Sequence, residues 1–149
     1  MKSGFYGIIA FIIGFTIAQV SKFIIGRFGK GKRLYKNFKD VVQDLMRSGG
    51  MPSGHSASFM ALTTFLGLSE GFDSAIFALA VGMTMIIIYD AVNVRYAVGE
   101  HGKLLNEMAR NDGNSKTKPQ KLVEGHTISQ AIVGSLIGIL VGVLVFTIY

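Results

Sequence analysis

Residues 128 to 149 run for 22 positions without a charged side chain. Two further stretches behave alike: Ala75 to Tyr89 carries no charge, and Phe5 to Ile25 carries only Lys22. At about 1.5 Å per residue the last run covers the ~30 Å hydrocarbon core of a bilayer. Contiguity decides the class, because an apolar fraction of 50% is still within reach of a soluble chain. The expectation is an all-α polytopic membrane helical bundle with about four transmembrane helices, in one domain spanning residues 1–149. Thr16 to Ala18 offers small residues suited to signal-peptide cleavage, but the apolar run continues to Ile25, which favours a retained helix. The absence of cysteine removes disulfides, thiolate catalysis and cysteine-based metal sites. No metal and no cofactor are expected.

The formal charge of +6 is unevenly placed. Residues 26–50 hold Arg27, Lys30, Lys32, Arg33, Lys36, Lys39 and Arg47, and residues 95–124 hold Arg95, Lys103, Arg110, Lys116, Lys118 and Lys121. The connection at 69–74 carries only Glu70 and Asp73. If 5–25, 53–68, 75–98 and 128–149 each cross once, both basic segments share one side. The positive-inside rule makes that side cytoplasmic in a multi-pass protein of the cell membrane. The second crossing is short, about 24 Å over 16 residues, and a re-entrant segment there would split the two basic segments across the membrane. Phe38, Val41, Val42 and Leu45 follow helical spacing between polar residues, the pattern of a short amphipathic interfacial helix or of a solvated cap on the bundle. Residues 110–120 read as a polar, turn-rich loop.

The most polar decade near an apolar run is "GGMPSGHSAS", residues 49–58. Gly49 and Gly50 permit positive φ, and Pro52 suits a first helical position because its missing N–H costs nothing there. The N–H groups of Ser53, Gly54 and His55 would then face outward at the positive end of the helix dipole, which favours an anion. Gly54 admits a bulky oxyanion, Ser53 offers a hydroxyl and His55 a proton near neutral pH. A capped helix start that merely contains a histidine fits the same spacing.

"GHTISQ", residues 125–130, opens the last apolar helix in the same way, and four crossings bring it to the same face. His126 and Gln130 are four apart, so the glutamine is expected to share a helix face with the imidazole and to hydrogen-bond it. Two imidazoles at two helix starts, beside a surplus of cations, suit a phosphate ester. Gly134, Gly138 and Gly142 form small-xxx-small spacings that serve either packing within the bundle or a homodimer seam.

"PSGH" at 52–55 and Gly-His opening a later helix resemble the type-2 phosphatidic acid phosphatase superfamily, which includes the vanadium haloperoxidases. "MPSGHSA", "DAVNVRYAVGEHGKLLNE" (90–107) and "GHTISQAIVG" (125–134) bring the chain closer to a divergent branch of small membrane proteins. The resemblance implies a phosphatase-like domain in which His55 is the general acid to the leaving alkoxide and His126 attacks phosphorus to give a phosphohistidine. Lys22 and Arg27 are the nearest match to the family's first block, at a spacing of five rather than seven and without its proline. Arg95 stands for the remaining phosphate-binding arginine, although it lies 31 residues before His126.

Gln130 departs from the resemblance most, because the superfamily has an aspartate there that orients the nucleophile and supports its positive charge. Asp90, ionisable at the end of a membrane helix, is the candidate substitute, with an ion pair to Arg95 or Lys22 as its alternative role. Glu100, Asn106 and Glu107 are expected as loop-solvated residues or as groups closing the site, and His101 as a surface residue. Three functions follow. The first is a phosphatase of a phospholipid or prenyl phosphate or diphosphate, with the membrane as its setting and no nucleic-acid partner. The second is a non-catalytic binder or transporter of an anionic lipid. The third is vanadate-dependent halide oxidation, against which a membrane-embedded cradle argues.

Overall fold

The structure, a computed structural model, describes residues 2–28, 37, 40, 42, 50–111 and 125–149. Its helices are α1 (Lys2–Phe28), α2 (Gly54–Glu70), α3 (Ala75–Tyr89), α4 (Arg95–Asn111) and α5 (Ile128–Thr147), with a π-helical turn, Asp90–Val94, joining α3 to α4. There is no strand among the described residues, so the chain is an all-α membrane bundle. α1, the run from α3 through α4, and α5 are long and apolar enough to cross a membrane. Large apolar side chains such as Phe5, Ile8, Leu79, Ile86, Leu140 and Leu144 point outward, as a lipid-facing surface requires. The interfacial helix expected around Phe38, Val41 and Leu45, and most of the polar loop at 110–120, lie outside the described residues.

α2 is the axis of the bundle, packed mainly on α5 and α1 and then on α3. At 17 residues it is about 26 Å long. Only small residues let a helix this polar be enclosed so closely. α1 buries Gly7, Ala10, Gly14, Ala18 and Lys22, a stripe at spacings of three and four. A Cβ on Gly14 would sit 2.8 Å from the Ala57 carbonyl oxygen and 3.0 Å from Ala61 Cβ. α5 buries Gly134, Gly138 and Gly142 in the same manner. A Cβ on Gly134 would run into the Ser53 carbonyl, one on Gly138 into the Ala57 carbonyl, and one on Gly142 would lie 2.7 Å from the Ala61 carbonyl. The glycine spacing therefore packs α5 against α2 within one chain, and these positions are not open to a second copy as a dimer seam.

That register also fixes direction. α5 climbs alongside α2 from Ser53, whose N–H donates to the Gln130 carbonyl at 3.1 Å, to Phe65, whose ring meets Tyr149 edge to face at 5.4 Å. α2 and α5 are parallel, whereas α1 runs against them, with Gly7 facing Leu62 and Phe65 and Gly14 facing Ala57 and Ala61. α3 is antiparallel to α2 as well. Thr63 Oγ1 meets Thr84 Oγ1 at 2.8 Å and the Ala80 carbonyl at 3.3 Å, a buried pair with its polar atoms satisfied across the helix contact. α2 thus runs the length of its neighbours rather than turning back, and both basic segments leave from and return to the end where α1 finishes and α2 and α5 begin. The apolar core of Ala10, Ala61, Phe65, Leu66, Ala80, Val141 and Val145 lies away from that end.

Gly138→Val is expected to abolish recovery of folded, monodisperse protein, or to lower its thermal midpoint steeply. The obstructing atoms are backbone and the Met60 Cβ at 2.7 Å, which cannot swing aside. Gly82→Ala, where a Cβ meets nothing within 4 Å, is expected to leave the midpoint unchanged or raise it, by up to ~1 kcal/mol of helix propensity. Equal midpoints for the two variants would refute this packing.

Candidate functional site

The helix start at Ser53 is built from its own side chain. Ser53 is fully buried, and its Oγ accepts from the Ser56 N–H at 3.3 Å and from Ser56 Oγ at 3.0 Å, an N-cap. Two expectations change here. Pro52 precedes the cap instead of occupying the first helical position, after a cis Met51–Pro52 bond. The Ser53 N–H, expected to face an anion, is committed to the Gln130 carbonyl, whereas the Ser53 Oγ accepts from Ser56 and keeps its own hydrogen to donate. The N–H groups of Gly54 and His55 have no acceptor among the described residues and remain available at the dipole's positive end. Gly54 turns toward α1, where a Cβ would meet Phe15 at 3.4 Å and Gln19 Oε1 at 3.5 Å, ordinary contacts that do not by themselves require a glycine. Gly50 has φ +79°, the conformation expected of it, and a Cβ there would meet the stem of Lys22 at 3.8 Å.

His126 stands just before α5 and is held by its backbone: its N–H donates to the Ala91 carbonyl at 3.0 Å. The preceding Gly125 makes this possible, because any Cβ there would overlap the backbone of Tyr96 and lie 2.6 Å from the Arg95 carbonyl carbon. The π-helical turn and this contact were not foreseen from the sequence, and a glycine directly before the histidine is the signal that pointed to it. His126 is 3% exposed, yet neither Nδ1 nor Nε2 has a hydrogen-bond partner among the described residues. Buried polar atoms are normally paired, which makes this ring the candidate centre of the site.

Gln130 does not meet that ring. It is the third residue of a capping box, its Oε1 accepting from the Thr127 N–H at 3.1 Å while its own N–H donates to Thr127 Oγ1 at 3.4 Å. The expected shared face fails because His126 lies outside the helix, so the spacing of four does not apply. Asp90 takes its alternative role, Arg95 Nε donating to Asp90 Oδ2 at 2.6 Å with both side chains part-exposed. Single-point engagement leaves the two terminal guanidinium nitrogens of Arg95 without an acceptor among the described residues.

Lys22, 7% exposed, completes the group from α1. Electrostatically, His126 lies within the fields of Lys22, His55 and Arg95, and His55 within those of Arg95, Lys22 and Asp90. Five of the nine residues singled out in the sequence, Lys22, His55, Asp90, Arg95 and His126, are therefore brought together from α1, α2, the π turn, the start of α4 and the segment before α5. Arg27 is not among them. Five residues beyond Lys22 it is turned by about 140° around α1 and stacks outward on Phe28 at 5.8 Å. His101 is exposed, as expected. Glu100 pairs with Lys103 at 2.7 Å on the exposed surface of α4, and Glu107 is exposed too.

The gathering of these side chains at one end of a helical membrane bundle defines the class of protein. Residues 6–141 match the Divergent PAP2 family, and the chain belongs to it. Over 61 residues it is 41% identical to the uncharacterized membrane protein YuiD of Bacillus subtilis (strain 168), an alignment covering 41% of this chain and 39% of that relative. No solved structure matches.

Burial first, and then the charges of Lys22, His55 and Arg95, push the His126 imidazole down to about 4. It is a free base at neutral pH. The unfolded chain takes up this proton near 6.5 and the folded one only near 4, so His126 lowers folded stability as pH falls from about 6.5 toward 4. In ¹⁵N spectra of histidine-labelled protein, its ring is expected to stay neutral from about pH 8 to 5, and added inorganic phosphate to raise its midpoint. A midpoint near the ordinary histidine value of about 6.5 without phosphate would contradict this environment.

Proposed function

We propose that the protein is a metal-independent phosphatase of lipid phosphates or diphosphates working through a phosphohistidine. The observation that carries this reading is the buried His126 ring, unpartnered at both nitrogens and surrounded by Lys22, Arg95 and His55. A phosphate dianion supplies what the arrangement lacks, namely negative charge and acceptor oxygens. Arg95, with its terminal nitrogens open, and Lys22 would bind the non-bridging oxygens, and the first-turn N–H groups of α2 would add their dipole.

In the first step a ring nitrogen of His126 attacks phosphorus, the P–N bond forms as the ester P–O bond breaks, and protonated His55 gives its proton to the leaving alkoxide. In the second step water attacks the phosphohistidine and yields its proton to His55, releasing inorganic phosphate and restoring both rings. The helix ends put this chemistry at headgroup depth, and the basic segments favour the cytoplasmic side.

One observation favours a second reading. With Gln130 held in the capping box and Asp90 paired to Arg95, His126 lacks a carboxylate partner, which suits a non-catalytic anionic-lipid binder or transporter that keeps the cradle without turnover.

Purified protein in detergent, without added metal, is expected to release phosphate from at least one of phosphatidate, phosphatidylglycerophosphate, prenyl phosphate and prenyl diphosphate. His126→Ala is expected to reduce that release at least ~10³-fold, as loss of a nucleophile does. No release from any of the four, with phosphate binding kept by both proteins, would establish the binder instead. Because the chain has no cysteine, single replacements report orientation cleanly. Glu70→Cys is expected to react with impermeant maleimide outside intact cells and Asn111→Cys only after lysis; the opposite pattern would place the site on the outer face.

A further inference from the structure

Beside the site, Ile88 and Val92 face Ile128, Ile132, Ser135 and Leu136 across an open groove of about 210 Å³. α3 and α5 both lean on α2, and they are tied together by the bond from the His126 N–H to the Ala91 carbonyl. Away from that tie a cleft is left between them. Its walls are hydrocarbon apart from Ser135. The volume is that of about seven waters at ~30 Å³ each, room for one stretch of alkyl chain.

The groove lies next to the polar site. Val92 follows Ala91, and Ile128 stands two residues past His126, so each wall has a residue within two positions of the bond that anchors the imidazole's backbone. Both flanking helices belong to segments long and apolar enough to cross a membrane, which puts the open side against lipid hydrocarbon. We infer that this groove holds the hydrocarbon chain of a phosphate ester whose phosphate lies at His126, making a single-chain contact part of substrate recognition. The inference rests on the phosphate-ester reading above.

A chain already in the bilayer gains little hydrophobic free energy by entering a protein groove, since lipid tails are as apolar as leucine. The groove therefore acts by holding the first methylenes in register with the phosphate, rather than by pulling the lipid from the membrane. Charge at one end and a chain-sized slot at the other select a molecule with both.

The chain has no tryptophan, so Ile132→Trp in lipid nanodiscs gives a single reporter at a position that is 54% exposed. 11-Bromoundecyl phosphonate is expected to quench it half-maximally at a membrane loading at least tenfold lower than 11-bromoundecanol does. Equal quenching by the two would mean that any lipid chain contacts the introduced indole, and would overturn the proposal. Ser135→Phe, which fills the slot from its rim, is expected to weaken dodecyl phosphonate binding at least tenfold while leaving inorganic phosphate binding as in wild type. Unchanged dodecyl phosphonate binding in that variant would also overturn it. If folded wild-type protein binds neither inorganic phosphate nor either phosphonate, the phosphate-ester reading itself fails and takes this inference with it. Phosphate binding with no preference for the chain-bearing phosphonate removes the groove alone.

Discussion

The close approach of α2 and α5 is the constraint on which the rest depends. Glycines at 134, 138 and 142 bring the α5 backbone onto the carbonyls of Ser53, Ala57 and Ala61, and the Ser53 N–H closes the contact on the Gln130 carbonyl. Two helices locked in parallel put two positive dipole ends at the same end of the bundle, α5 beginning about six residues, ~9 Å, before α2. Lys22 from α1 and Arg95 at the start of α4 add formal charges to the same end, beside the carboxylate of Asp90. On the phosphatase reading, the packing that holds the bundle together also assembles the cradle for the phosphate. Small residues in one stripe thus bear on function although none of them touches a ligand.

Asymmetry along the bundle follows from the same register. At the far end Phe65, Tyr6 and Tyr149 meet edge to face, with centroids 5.3 and 5.4 Å apart, and the bulky core lies beneath them. At the near end the buried groups are Ser53, Ser56, Lys22 and His126. Polar groups at that depth persist because most are satisfied locally, Ser56 on Ser53 and Ser58 on the His55 carbonyl. Both ring nitrogens of His126 lack such a partner among the described residues.

Much of this was legible in the sequence for identifiable reasons. The apolar runs were contiguous and their charges segregated, so the helices, their directions and the shared end of both histidines followed from length and topology. Lys22 and Arg95 came from the family resemblance, with the topology allowing Arg95 to reach the same end. What failed were inferences from helical spacing at positions that are not helical or not on the assumed face. Gln130 and His126 are four apart, but the helix begins at Ile128 and leaves the histidine outside it. Lys22 and Arg27 are close in sequence yet on different sides of α1. Ser53 opens its helix as expected, but its N–H is taken by the Gln130 carbonyl, a contact across helices that no local pattern announces. The π turn has no strong local signal. It was invisible until the contact of Gly125 with the Arg95 and Tyr96 backbone revealed why a glycine precedes the histidine.

The fate of the missing carboxylate can be argued from these positions. An aspartate beside a nucleophilic histidine does two things: it selects the tautomer, and it supports the positive charge that grows on the ring as the P–N bond forms. The first is unfilled, because burial and the surrounding cations keep His126 neutral without choosing which ring nitrogen carries the hydrogen. The second is not replaced by Gln130, whose amide is held in the capping box, nor by Asp90, which is paired with Arg95. On the phosphatase reading the compensating negative charge must come from the substrate, whose phosphate oxygens would lie nearest the ring when charge develops on it. A dianionic monoester or a diphosphate brings more of that charge than a diester does. The same substitution that weakens the protein as a general catalyst would thus narrow it toward the most highly charged lipid phosphates.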